Sequence, residues 1–240
     1  MSPLFEFANT TNIFVTFIGA STAIFAATVA ITQNDIKKVI AYSTCSQLGY
    51  MFFATGLGAY NAAIFHLMTH GFFKALLFLG AGSVIHSVNH EQDMRKMGGL
   101  YKKMPYTTIF MWIGSLSIIG FPFFSGYYSK ENILEVAYFA NNNIGLYAYI
   151  IGIITALLTA FYSWRLLLMT FHGSSRINIH VLDNIKESPK IMIIPLMILA
   201  LGSIFVGLFF SNFFIGLDKE MFWNESIILH TSKHAEMPLI

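Results

Sequence analysis

Charge is what this sequence has least of. Only 11% of its 240 residues are Asp, Glu, Lys or Arg, less than half of the roughly 25% carried by an ordinary soluble domain. That is too little to coat the outside of a water-soluble globule. Disorder is excluded as well, because 55% of the residues are hydrophobic and the formal net charge is only +2. Cysteine is nearly missing. The single Cys45 excludes a disulfide framework, a cysteine-rich zinc site and a thiolate-held iron–sulfur cluster. The near-neutral balance gives no reason to expect a nucleic acid partner. What is present is 24 Phe, 11 Tyr, 12 Met and a mean hydropathy of +0.62. The expected fold class is all-α, a polytopic transmembrane helix bundle in a lipid bilayer.

A helix needs about 20 apolar residues to cross a bilayer. Six stretches qualify: 11–33, 38–57, 61–85, 105–139, 145–171 and 191–214. The fourth is too long for one straight crossing and holds Gly120, Pro122 and Gly126. Proline removes a backbone donor and glycine loosens the helix, so this span is expected to be discontinuous near mid-membrane. Residues 1–10 carry no Lys or Arg, which is unlike a signal peptide. Opening almost directly into a span and ending in an amphipathic tail over 215–240 is the arrangement expected of a fragment or one product of a split gene. Lysine and arginine fix the expected orientation. Lys37, Lys38, Arg95, Lys96, Lys102, Lys103, Arg176, Lys186 and Lys190 fall on one side, and Lys219 and Lys233 on the other. Both termini are therefore expected outside, with 172–190 an inner loop.

The remaining basic residues, Lys74, Lys130 and Arg165, lie inside spans. Buried ionisable groups in a membrane are costly and commonly mark a transport path. His66, His70 and Lys74 recur at i, i+4 and i+8, on one helix face over roughly 12 Å. A ladder of titratable groups bridged by water suits stepwise proton transfer. Taken singly, each also fits a plain structural role: hydrogen-bonded buried histidines and a snorkelling lysine. A zinc site needs a third ligand that is not evident, and the Lys74 cation opposes it. A bis-His haem needs mid-membrane histidines on two helices. Lys130 adjoins the predicted break and is expected to exchange protons as its carboxylate neighbours, Glu131 and Glu135, change their distance or charge; a packing kink with a structural charge cluster is the other reading. Ser43 with Gln47, and Ser46 with Tyr50, are i,i+4 pairs that suit water lining or inter-helix bonding. Lys37 sits where a proton would enter, or simply anchors the interface. Arg165 is near enough to its helix end to be structural. His86, His90, His172, His180, His230 and His234 are weak loop signals.

Several stretches together resemble the antiporter-like subunits of respiratory complex I, nearest the largest of them. They are Asp35–Lys37, Ala41–Thr44, Ser46–Met51, Ala63–Leu79, Gly82–His86, Gly120–Pro122, Ser129–Lys130, Phe171–Gly173 and, most specific, His90–Leu100. The resemblance covers about residues 10–175. It implies two inverted five-helix repeats, each with one broken helix and a central lysine, of which residues 11–171 look like the second; 191–214 is one helix more. It implies Lys74 on a central axis, His66 and His70 along it, and Lys130 on the exit side. It further implies a proton-translocating role in NADH:quinone oxidoreductase in an energy-transducing inner membrane, bacterial or mitochondrial. No cofactor is expected in this chain; NAD, FMN, iron–sulfur clusters and quinone belong to partner subunits. The expected partners are other membrane-arm subunits, including a chain or segment supplying the first repeat. A subunit of a multisubunit cation/proton antiporter, or a non-functional fragment, are the rival readings.

Overall fold

The computed structural model describes residues 2–229. His230, Lys233 and His234 therefore lie outside the described residues. Ten helices follow one another: α1 (Ser2–Glu6), α2 (Asn9–Thr32), α3 (Ile36–Gly56), α4 (Tyr60–Ser87), α5 (Pro105–Ile119), α6 (Ser125–Phe139), α7 (Asn143–Phe171), α8 (Ile179–Asn184), α9 (Lys190–Phe214) and α10 (Lys219–Trp223). By length and composition alone α2, α4, α7 and α9 can cross a membrane. The chain is an all-α membrane bundle. The second expected span, α3, is not among them: it is less apolar because it carries Lys37, Lys38, Ser43, Ser46 and Gln47. It compensates by burying the last three of these against neighbouring helices.

The expected discontinuity is present. Gly120 takes a left-handed conformation (φ 87°) and caps α5, and helix resumes only at Ser125. Residues 120–124 are thus a short non-helical link between α5 and α6. The single predicted span 105–139 is two helices of 15 residues each. Gly126 is required by contact rather than by dihedral: a Cβ there would overlap the Ser117 carbonyl. The start of α6 therefore lies directly against the end of α5. The hydroxyl of Ser125 adds a bond to the Gly202 carbonyl, at 2.9 Å, which fastens the link to α9.

The loops gather at the two ends of the bundle. At one end the α2–α3 turn pairs with the 88–104 loop, through Ile36 N–H to Gln92 O (3.1 Å) and Met94 N–H to Asn34 O (2.9 Å). Arg176 donates to the carbonyls of Met97 and Met169 at 2.8 and 2.7 Å, tying the 172–189 segment to the same cap. Met94, Met97, Leu100 and Met104 are fully buried beneath it. All nine basic residues assigned to the inner side sit on segments of this cap or at the helix ends that enter it. At the opposite end the Tyr60 hydroxyl donates to Glu6 (3.1 Å) and Asn61 to Phe214 O (3.3 Å). Arg165 does what a snorkelling arginine does: it reaches the α2–α3 turn and donates to Gln33 O and Asn34 Oδ1.

Candidate functional site

The polar groups of α3, α4, α6 and α7 meet inside the bundle. His66, His70 and Lys74 are all buried, at 1%, 6% and 4% exposure, and so is Lys130 at 3%. Those four values decide that the titratable groups face the interior and not lipid. Lys74 Nζ donates to Ser43 Oγ (2.7 Å) and to the Ile40 carbonyl (3.2 Å). Ser43 Oγ in turn lies 2.6 Å from Tyr162 Oη. Beside them is a cavity of about 10 Å³ lined by Ile40, Ser43, Lys74, Ser115, Tyr162 and Ser163, which is about the room one water needs. Val39, Leu77, Ile118 and Leu166 complete the lining, so the cavity is largely apolar with Ser43, Lys74, Ser115, Tyr162 and Ser163 on its wall. Lys74 is thus joined through one hydroxyl to a second helix and shares a water-sized cavity with two more.

Two turns away the chemistry is carried by His66. Its Nδ1 lies 2.9 Å from Ser129 Oγ and its Nε2 3.1 Å from Gln47 Oε1. Thr69 Oγ1 also contacts Ser129, at 2.8 Å. The imidazole therefore bridges α3 and α6. His70 lies one turn on: its ring is tilted to that of His66, with centroids 6.1 Å apart, and meets that of Phe73 edge to face at 5.3 Å. His70 Nε2 is buried with no hydrogen-bond partner.

Lys130 is placed differently. Its Nζ hangs over the Tyr50 ring, 5.2 Å from the centroid, and has no hydrogen-bond partner. Its Cδ lies 3.9 Å from where a Cβ at Gly120 would be, so the side chain does adjoin the α5–α6 break. The expected carboxylate neighbour is not there. Glu131 and Glu135 are exposed on the other side of α6, and the ion pairs among the described residues are Asp93–Arg95 and Glu91–Lys96. Helical geometry is the reason: positions i+1 and i+5 turn about 100° and 140° away from residue i, whereas i+3 and i+4 share its face. Beyond Lys130 lies an apolar cluster containing Phe53, Ala54, Ile133, Ala137 and Ala148. Past it opens a cavity of about 510 Å³ lined by Glu6, Asn9, Asn12, Tyr60 and Asn142 among others.

The i,i+4 pairs read in α3 do not bond to one another. Each member bonds outward instead, Ser43 to Lys74 and Tyr162, Gln47 to His66, Ser46 to the Ala23 carbonyl, and Tyr50 to the Gly152 carbonyl. Lys37 is exposed at the first turn of α3, where its backbone N–H is capped by Asp35 (2.8 Å). Sequence reasoning gave Tyr162 and Thr69 no role and marked Ser129 only as part of the Ser129–Lys130 stretch; their partners come from helices distant in the chain. His86 and His90 pack edge to face, 6.3 Å apart. Among the described residues no group of three His, Cys, Asp or Glu could hold a metal. His172 accepts from Trp112 Nε1 (3.2 Å) and stacks on Tyr101, as an interfacial packing group would.

A bundle with a broken helix and buried lysines on an interior polar axis defines an antiporter-like membrane subunit. The chain belongs to the NADH:quinone oxidoreductase/Mrp antiporter transmembrane family, whose pattern matches residues 1–159; the NADH dehydrogenase subunit 5 C-terminus pattern matches residues 162–229. It is 51% identical to NADH-quinone oxidoreductase subunit L of Rhodobacter capsulatus, over 96% of this chain and 33% of that one. It is 55% identical to NADH-ubiquinone oxidoreductase chain 5 of Dictyostelium discoideum, over 95% and 34%. The chain thus spans about a third of the length of the curated relatives it matches. Among solved structures it is similar to the membrane-bound sulfane sulfur reductase, an archaeal respiratory membrane complex (TM-score 0.74, 28% identity, 83% of this chain and 32% of that one). The Mrp complex from Dietzia sp. DQ12-45-1b is also similar (TM-score 0.70, 28% identity, 84% and 22%).

Proposed function

We propose that this chain is the proton-conducting second repeat of a membrane-arm subunit of NADH:quinone oxidoreductase, lying in an energy-transducing inner membrane. The observation that carries the reading is the buried polar axis from Lys74, through His70 and His66 with Ser129 and Gln47, toward Lys130. Each member can donate, accept or hold a proton, and the axis runs beneath helices that are otherwise apolar. Lys37 marks the inner mouth, on the basic cap, and the cavity beside Glu6 and Asn12 the outer one; the basic cap faces inward by the lysine and arginine asymmetry. The redox chemistry, with NAD, FMN, iron–sulfur clusters and quinone, belongs to other subunits. The repeat works with a segment supplying the first repeat, on this polypeptide or another, and with further membrane-arm subunits. The names of the relatives support the NADH-linked reading over a free-standing antiporter.

The test is NADH-driven acidification in vesicles carrying the assembled complex, read beside the quinone reductase rate. Lys74→Met removes a titratable station and is expected to cut acidification about tenfold or more, since a proton cannot rest on a thioether. Assembly, followed by native electrophoresis, is expected to stay near normal. A Lys74→Met complex that assembles and pumps at the wild-type rate overturns the reading. Sodium-dependent exchange without NADH would replace it with the antiporter.

A further inference from the structure

Helix α6 is amphipathic in a way that does not fit a lipid-facing helix. Its inward face buries Gly126, Ser129, Lys130, Ile133 and Ala137. The opposite face carries Tyr128, Glu131, Glu135 and Tyr138, spaced i, i+3, i+7 and i+10 along one stripe. Glu131, Glu135 and Tyr138 are exposed. The outward faces of the neighbouring long helices differ in kind. α7 turns out Leu146, Ile150, Ile153, Leu157 and Phe161, and α9 turns out Ile194, Ile198 and Leu201. Those suit acyl chains; the α6 stripe does not.

Depth makes the difference costly. Leu134, between the two glutamates, packs against Gly152 of α7. Gly152 lies nine residues inside the outer end of α7, which is about 14 Å of helix at 1.5 Å per residue. With 29 residues α7 is about 43 Å long, so a hydrocarbon core of about 30 Å leaves roughly 7 Å of it outside at each end. The outer ends of α6 and α7 are level, since a Cβ at Gly145 would meet Ala140 and the Ala137 carbonyl. Glu131, eight residues from the α6 end, therefore lies at hydrocarbon depth and Glu135, four residues from it, at the outer edge, where an exposed ionised group facing acyl chains is costly without a partner. The ion pairs among the described residues are both in the 88–104 loop, far from α6, and the basic residue described at the outer end is Lys219 on α10.

We propose that the Tyr128–Glu131–Glu135–Tyr138 face of α6 is a docking surface within the bilayer for a transmembrane segment that presents a basic side chain to the two carboxylates. Charge complementarity selects this occupant. Two glutamates four residues apart stand about 6 Å apart along the axis, so a single guanidinium or ammonium can bond to both. The tyrosines above and below supply hydroxyls and flat apolar surface to the same partner. The proposal rests on the membrane location of the chain and not on its pumping, so it can fail while the proton path stands.

The experiment uses the intact complex in its native membrane. It is treated with dicyclohexylcarbodiimide, which reaches lipid-facing carboxyls, or with a water-soluble carbodiimide and glycine ethyl ester, which reaches water-facing ones. Adducts at Glu131 and Glu135 are then read by mass spectrometry. Protection from both reagents is expected. An adduct from the apolar reagent would mean the face meets lipid, and one from the aqueous reagent would mean it lines water; either overturns the proposal. A charge series supplies the second readout. Glu131→Gln with Glu135→Gln is expected to lower the yield of assembled complex about threefold, and Glu131→Lys with Glu135→Lys to lower it by more than about thirtyfold, because like charges then meet in a low dielectric. A pair of leucines at both positions that assembles as well as wild type would also overturn it, since no basic partner would then be left unpaired.

Discussion

Lys74 and Lys130 are equally buried and yet live in different surroundings. Lys74 has a hydroxyl, a carbonyl and a water-sized cavity at its ammonium. Lys130 has the face of one tyrosine ring and an apolar cluster beyond. A charge on Lys74 is met by two dipoles of α3, the Ser43 hydroxyl and the Ile40 carbonyl, while a charge on Lys130 is met by a ring quadrupole alone, a weaker substitute for water. The inner half of the axis is thus wired and the outer half dry. On the proposed proton path this contrast would limit leakage: a proton would exchange with Lys74 more readily than with Lys130, and would reach Lys130 only when the structure changes. The α5–α6 break, where backbone bonding is already interrupted, is the place where such a change costs least.

The sharpest way to break the comparison is to fix the charge at the dry station. Arginine retains its proton under all working conditions, so Lys130→Arg keeps a cation over Tyr50 and removes the exchange. Acidification is expected to fall about tenfold or more while the complex still assembles, because charge without release is not transport. Full pumping with Arg at 130 would show that the residue supplies charge only.

Making the wired station resemble the dry one comes second. Ser43→Ala deletes the hydroxyl that joins Lys74 to Tyr162 and leaves both with one partner fewer. A stranded buried hydroxyl costs about 1–3 kcal/mol, so a moderate loss of stability is expected with a three- to tenfold slower acidification. Ser43→Thr keeps the oxygen and is expected to restore most of the rate. If alanine and threonine pump alike, the route does not pass through Ser43.

The histidines divide along the same line with a smaller effect. His66 holds Ser129 and Gln47 from two helices, whereas His70 leaves Nε2 without a partner. His66→Ala is therefore expected to destabilise by about 1–3 kcal/mol and His70→Ala by clearly less, as each stranded polar group adds its own desolvation cost. Both are expected to slow pumping less than Lys74→Met, because water can bridge one helical turn. Thermal aggregation of the solubilised complex, beside the acidification rate, separates the two. Equal destabilisation would mean that the bridging bonds of His66 contribute little.

Much of this was legible in the sequence, and the boundary is physical. Four of the six expected crossings, α2, α4, α7 and α9, the break and the ladder on α4 follow from local rules: apolar length, proline and glycine chemistry, and 3.6-residue periodicity. The gathering of nine basic residues at one end follows from charge asymmetry. The partners of those residues were not legible, because Tyr162 meets Ser43 across 119 positions and Ser129 meets His66 across 63. Single-sequence patterning holds no information about which helices touch. The expectation that Glu131 and Glu135 accompany Lys130 failed for another reason. The same periodicity that places His66, His70 and Lys74 on one face turns positions 131 and 135 away from 130, so that signal was present in the sequence.

The weakest expected effect lies outside the membrane, in the 88–104 loop that caps the wired end. The Arg95 guanidinium donates three charge-assisted bonds to Asp93 and holds its carboxyl down to about 2, from an ordinary value near 3.8. Lys96 likewise lowers Glu91. Between its folded and unfolded values a depressed carboxyl binds fewer protons folded than unfolded, so its contribution is complete above about pH 4 and is lost as the pH falls toward 2. Arg95 is 62% exposed, so solvent screens the pair and the contribution is small. Hydrogen exchange of residues 91–97 in the intact complex is expected to quicken less than about threefold between pH 5 and 2.5, after correction for intrinsic rates, ahead of any change in α4. Asp93→Asn leaves Arg95 without its carboxylate and is expected to hold the segment at the faster rate across that whole range. Equal and pH-independent protection in both proteins would mean that the bonds of Gly99, Ile36 and Met94 to the neighbouring segments hold the cap on the wired end without help from charge.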